Sequence, residues 1–478
     1  MMSRGRWIAP VVCLLAARLA AQPVFTGPDV FPLDEFADRR ARVVERIGDA
    51  VAILSGTTER PGEQALRQNN QFFYLCGVVE PRAFLVVDGR TKRTQLFLQP
   101  YSERREERMF GPGLHPGEAS ARAAGVDVVR PRDEFGALVD ELSREGRTMY
   151  TPFRPEVLGE ASSSDPVALA KATREDPWDG RPSREETFVA KLRARAPRSD
   201  VRDLDPILDA MRTRKSPREI AIIRDATRIA TLGILEAMRH TKPGMTEYEL
   251  QAEAEYVFKK HGAYGPSYFA LVATGTNTFY SHYHKNTATL ADGDLVQFDY
   301  APDYKYYQSD VTRVFPANGR FSARQRELYT VYLRLYQALM SSIRVHASPA
   351  DIARVAAARM ASIVDGFPFT DAAIEAAARA FVERYRSGPV TSLGHAVGME
   401  VHDVGGAPPT LEPGMVFTIE PAMQLPAEHL GLRLEDMILM TAEGYENLSA
   451  SLPVDPDAIE AIMGGRGQVG VRRGQVLP

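Results

Sequence analysis

Two ten-residue stretches of this chain, Leu290–Asp299 and Leu411–Glu420, share one layout: a leucine, a glycine three residues on, a short apolar run, and a terminal carboxylate nine residues after the leucine. An acidic residue that ends an apolar strand must find a partner, because an unpaired buried charge is costly. A helix start precedes each stretch. Thr246 with Glu249 forms a capping-box pattern before the first, and Ser348 with Asp351 marks an N-cap before the second. Two matched helix-then-strand units predict a domain with internal pseudo-twofold symmetry.

Two more carboxylates belong with these. Asp310 follows Asp299 on what reads as the return strand, and Glu435 sits inside Leu432–Leu439, which also reads as a strand. Four carboxylates gathered at strand ends repel one another unless cations offset the charge. Two divalent ions balance four carboxylates, and neutral His395, between Gly394 and Gly398, can fill a further position. Oxygen-rich ligation with one imidazole suits Mn, Co, Fe or Zn and does not choose among them. Two such ions can share and acidify a water.

The rest of the chain sets the context. At 478 residues it is too long for one ordinary core, so two domains are expected. A net charge of -4 and the lack of a mixed basic and aromatic stripe give no sign of nucleic-acid or membrane-surface binding. At the N-terminus, Arg4 and Arg6 precede an apolar run from Trp7 to Ala21, the layout of a signal peptide cleaved before Gln22. Cleavage would leave Cys76 as the one cysteine, rule out an intramolecular disulfide and place the product in a periplasm or outside the cell, away from membranes. Residues 22–200 read as a mixed α/β domain. It has strands at Val51–Leu54, Ala83–Val87 and Thr94–Leu98, helices at Leu33–Ile47 and Glu134–Arg144, and a surface loop over 161–186. Ser216-Pro217 with Glu219 opens a long amphipathic helix near the start of a second domain, 201–455. Residues 456–478 read as a solvated tail.

The second domain resembles the pita-bread metallopeptidases, the group of methionine aminopeptidase, prolidase and aminopeptidase P. The matching strings are Asp299 with Ser309–Arg313, Gly394-His395 with Val401–Gly405, Met415–Pro421, and Arg433–Asp436. The first domain resembles the creatinase/aminopeptidase P N-terminal domain through Arg67–Gly77. Methionine aminopeptidases lack that domain, so the resemblance is to the aminopeptidase P and prolidase branch.

That resemblance implies an Xaa-Pro aminopeptidase with two divalent ions, manganese foremost, acting on peptides and assembled as a homo-oligomer. It implies Asp299 and Asp310 as metal ligands, with Asp310 shared alongside Glu435, and His395 and Glu420 on the other ion. Glu420 would also move the proton of the attacking water. His282 and His402 match histidines that hold the substrate carbonyl or the tetrahedral intermediate, and Arg433 would order the substrate or orient a ligand carboxylate. The chain departs from the branch at Thr391, where a histidine is usual, and at Ala301, Ala422, Met423 and Gln424. These positions bear on proline selectivity and spare the metal ligands. A prolidase, a metal-dependent lyase and a peptide-binding module on the same fold are the alternatives.

Overall fold

The computed structural model describes residues 26–59, 65–109 and 111–465. The expected signal peptide lies outside them. Among the described residues no helix is long and apolar enough to cross a membrane.

The N-terminal half is built on a six-stranded mixed sheet. In chain order its strands are β1 Val51–Ser55, β2 Phe84–Asp88, β3 Thr94–Leu98, β4 Val128–Pro131, β5 Met149–Thr151 and β6 Val201–Asp203. In space they run β4-β3-β2-β1-β5-β6. The unbroken apolar run of β1 reflects burial on both faces. Val51 and Ile53 point into a small core with Phe135, Leu142 and Val189. Ala52 and Leu54, one residue out of phase, point into the large core that continues into the C-terminal half.

The C-terminal half carries the expected repeat. Helices Pro217–His240 and Glu247–Lys260 precede a three-stranded antiparallel sheet with Leu295–Asp299 at its centre, between Leu271–Thr274 and Thr312–Pro316. Helices Pro349–Gly366 and Ala372–Ser387 precede a second such sheet with Asp436–Met440 at its centre, between Val416–Ile419 and Tyr445–Asn447. An isolated bridge, Thr312 to Glu435, joins the two sheets where the carboxylates gather.

Three readings of the sequence need correction. The stretch read as a surface loop over 161–186 contains a helix, Asp165–Glu175, and the first residues of another, Arg184–Arg195. The first of these buries no residue, so it has no apolar stripe to betray it. The stretch read as a tail begins with a helix, Pro456–Met463, capped by Asp455 and seated on the fully buried Ile459. Two isoleucines on one short helix are too few to establish a period. Finally, Leu432–Leu439 is not one strand. Leu430–Arg433 pairs with Ala422–Leu425, Asp436–Met440 pairs with Val416–Ile419, and Glu435 sits at the break.

The Arg67–Gly77 string is the seam between the halves. Arg67 and Asp303 form a fully buried ion pair at 2.9 Å, with the guanidinium 4.5 Å from the centre of the Tyr306 ring. Phe73 stacks on the same ring at 3.6 Å, and the Tyr306 hydroxyl accepts a hydrogen bond from the Gln68 backbone N–H. Replacing Arg67 with methionine strands Asp303 in the interior. The expected cost is about 3–5 kcal/mol, read by urea unfolding. An unfolding midpoint equal to that of the unaltered protein would remove this pair from the account of the seam.

Candidate metal centre

Each candidate ligand is delivered by a strand end or a pinned loop. Asp299 ends its strand, and Asp310 lies two residues before the return strand Thr312–Pro316. Glu420 follows Val416–Ile419, and Glu435 precedes Asp436–Met440. His395 comes from the loop that crosses the end of the second sheet. Its backbone N–H donates to the Thr418 hydroxyl, and its carbonyl accepts from the Thr418 N–H at 2.9 Å. That crossing requires Gly394, since a Cβ there would lie 2.0 Å from the Thr418 carbonyl oxygen.

The side chains converge. His395 Nε2 stands 3.2 Å from Glu420 Oε1, 3.4 Å from Asp310 Oδ2 and 3.9 Å from Glu435 Oε1. One ligand atom from each of Asp310, His395 and Glu435 falls within 4.8 Å of the others. Asp299 joins through Tyr268, whose hydroxyl lies 2.5 Å from Asp299 Oδ1 and 2.6 Å from Asp310 Oδ1. Arg433 pairs with the other oxygen of Asp299 and donates to the Ser281 carbonyl. It thus orients a ligand carboxylate. Asp436, three residues on, pairs instead with Arg313 at 2.7 Å.

The electrostatics fit a cation. Glu435 Oε1 is buried and has no hydrogen-bond partner, while Oε2 accepts from the Thr312 hydroxyl at 2.6 Å. Burial, then the charges of Asp310, Glu420 and Asp299, push the Glu435 carboxyl well above its ordinary range. Burial likewise raises Asp299, to about 7, although Arg433 opposes the shift. His395 would be lowered by burial, but hydrogen bonds to Asp310 and Glu420 outweigh that and raise it to about 10. Protein groups alone therefore satisfy this cluster only by holding protons on acids and on the imidazole. Divalent ions would replace those protons, and an oxygen-rich set with one imidazole is a donor set such ions take.

The other candidates lie around this cluster. The His402 ring packs against His395, tilted by 39° with 3.8 Å between centroids, and its pKa is lowered by burial and by His395. His282 is exposed, and its charge is close enough to be felt at His402. Thr391 and Gln424 are exposed, and Gln424 donates to the Phe279 carbonyl. Sequence reading missed Tyr268, Thr312 and Thr418. Each is a neutral hydroxyl that grips a ligand; Thr312 and Thr418 lie inside the matching strings, which assign them no role, and Tyr268 lies outside all of them.

A model of metallopeptidase family M24 matches residues 221–442, and a model of the aminopeptidase P N-terminal domain matches residues 36–150. Over 90% of its length the chain is 32% identical to an Xaa-Pro aminopeptidase of Escherichia coli K12, covering 97% of that protein. The chain belongs to metallopeptidase family M24. This M24 peptidase superposes on the solved aminopeptidase P of E. coli with a TM-score of 0.71 at 30% identity, covering 91% of this chain and 99% of that one. It superposes on proline aminopeptidase P II from Yersinia pestis with the same TM-score at 32% identity, covering 91% and 100%. A human Xaa-Pro dipeptidase is 27% identical over 91% of the M24 chain and 94% of its own.

Proposed function

We propose that this M24 metallopeptidase is an Xaa-Pro aminopeptidase that removes the residue preceding proline from the N-terminus of peptides. The observation that carries this is the convergence of Asp310, His395, Glu420 and Glu435 around one point, in a chain that matches an Xaa-Pro aminopeptidase over 90% of its length. The identity to the dipeptidase is lower, and that activity is the second reading.

Asp299, Asp310, His395, Glu420 and Glu435 would hold two divalent ions, which when bound supply Lewis-acid activation of water and of the scissile carbonyl. Glu420 is the most exposed of the four carboxylates and is steadied by the Thr418 hydroxyl at 3.2 Å. It takes a proton from the attacking water and delivers it to the leaving imino nitrogen. Depression of its pKa keeps His402 neutral at pH 7, with one ring N–H free to donate to the developing oxyanion. His282 meets the substrate at the rim, and Arg433 holds Asp299 in place. Manganese is our first choice of metal, on the family resemblance; the oxygen-rich donor set alone does not choose among Mn, Co, Fe and Zn. The basic-then-apolar N-terminus supports export to a periplasm or the medium.

The test is a peptide library of tripeptides and dipeptides varied at the second position, with manganese and with chelator. Metal-dependent cleavage of Xaa-Pro tripeptides, faster than of dipeptides, is the expected result. Preference for dipeptides favours the second reading, and metal uptake with no cleavage of any peptide overturns both. Thr391 carries no charge and has a shorter reach than histidine. The unaltered enzyme is therefore expected to discriminate less sharply for proline at the second position than the T391H variant, and equal discrimination would acquit Thr391.

A further inference from the structure

The loop that carries His402 rests on a buried network that draws members from the N-terminal half. Glu400 and Asp403 flank His402 and are buried, as are Arg212 and Lys215 beneath them. Arg212 pairs with Glu400 and, at 2.6 Å, with Asp403 Oδ1, and Lys215 reaches Asp403 Oδ2 at 2.9 Å. Two cations and two carboxylates cancel, which a group of charges this deep requires. The packing is close: a Cβ on Gly398 would lie 2.1 Å from Asp403 Oδ2.

Asn70 completes the network from the Arg67–Gly77 string. Its amide oxygen accepts from Arg67 at 2.9 Å, which fixes the amide so that Nδ2 faces the loop. That nitrogen donates to Glu400 Oε1 at 2.7 Å and to the Met399 carbonyl at 3.1 Å. On the far side, the Asp403 N–H donates to the carbonyl of Ala396, the neighbour of His395. The His402 carbonyl accepts from Ser163 N–H, again in the N-terminal half. The backbone is thus pinned before, at and after His402, and its ring lies on His395.

We propose that Asn70 is a positioning residue for hydrolysis, acting through Glu400 and the 399–403 backbone to hold His402 against the metal centre. The N-terminal half then shapes the active site as well as the seam. This rests on the reading of His402 as a catalytic residue.

The test is a double-mutant cycle on the full-length, manganese-loaded enzyme, comparing N70A, H402A and N70A/H402A on an Xaa-Pro tripeptide. The expected N70A result is a fall in kcat of about tenfold, the scale of orienting partners at metal sites. KM should change less than about twofold, with unchanged metal content by elemental analysis. Because Asn70 acts through His402, the double variant should be no slower than H402A. Should N70A not fold, N70S, which shortens the donor and keeps it polar, enters the same cycle. A loss that multiplies that of H402A, a change in KM or metal content alone, or an unaltered kcat overturns the proposal. Full activity in H402A would instead defeat the reading of His402, whereas an impaired H402A beside a fully active N70A would defeat only the role of Asn70.

Discussion

Replacing Glu420 with alanine is expected to lower kcat on an Xaa-Pro tripeptide by about 10³-fold, within the span that a positioned acid–base group contributes. Two losses combine. The carboxylate that accepts and returns the proton is gone, and so is the partner that stands 3.2 Å from His395 Nε2. Glu420→Gln separates them, because the amide keeps the volume and an oxygen ligand but cannot accept the proton. Steady-state kinetics at saturating manganese, with elemental analysis of each protein, reads both. An alanine variant with full activity would refute the assigned role. An alanine variant whose activity returns at higher metal concentration would reduce Glu420 to a ligand.

Removing the metal should make stability depend on pH in a definite direction. Burial pushes Asp299 up to about 7 in the folded chain and pushes Glu435 well above its ordinary range. Unfolded carboxyls titrate near ~4. The folded state therefore binds more protons than the unfolded state between those values. The stability these groups contribute is complete below ~4 and is lost as pH rises through 7. His395 acts in the same sense, since its pKa is raised to about 10. Burial would raise Asp310 and Glu420, but hydrogen bonds to His395, its charge and that of Arg433 together shift them down. Their contribution is lost only in acid, so it does not reverse the trend above pH 5. The melting temperature of chelated protein should fall between pH 5.5 and 8. Metal ligands must shed protons to bind, so added manganese should raise it more at pH 8 than at pH 5.5. A metal-induced rise that is equal at both pH values would count against this site as the place of binding.

Legibility in the sequence followed locality. Asp299 and Glu420 each close an apolar run behind a glycine turn, so their positions could be read within ten residues. The hidden parts are those whose meaning lies in another segment. Tyr268 carries no charge and no motif, yet its hydroxyl holds two ligand carboxylates. Arg433 and Glu435 look like neighbours on one strand, but the strand breaks between them because the chain passes from one hairpin to the next sheet. Asn70 and Glu400 are 330 residues apart.

The repeated strand-and-carboxylate units were thus settled by the amino-acid order alone. Hydrophobic burial dictates where each strand runs, and a charge at its end demands a partner whatever the rest of the fold does. Which hydroxyl grips which carboxylate, which domain braces the His402 loop, and where the strand breaks were left to the tertiary structure. Those choices depend on neutral hydrogen-bonding groups, which have no periodicity along the chain and gain their energy only when distant segments are packed together.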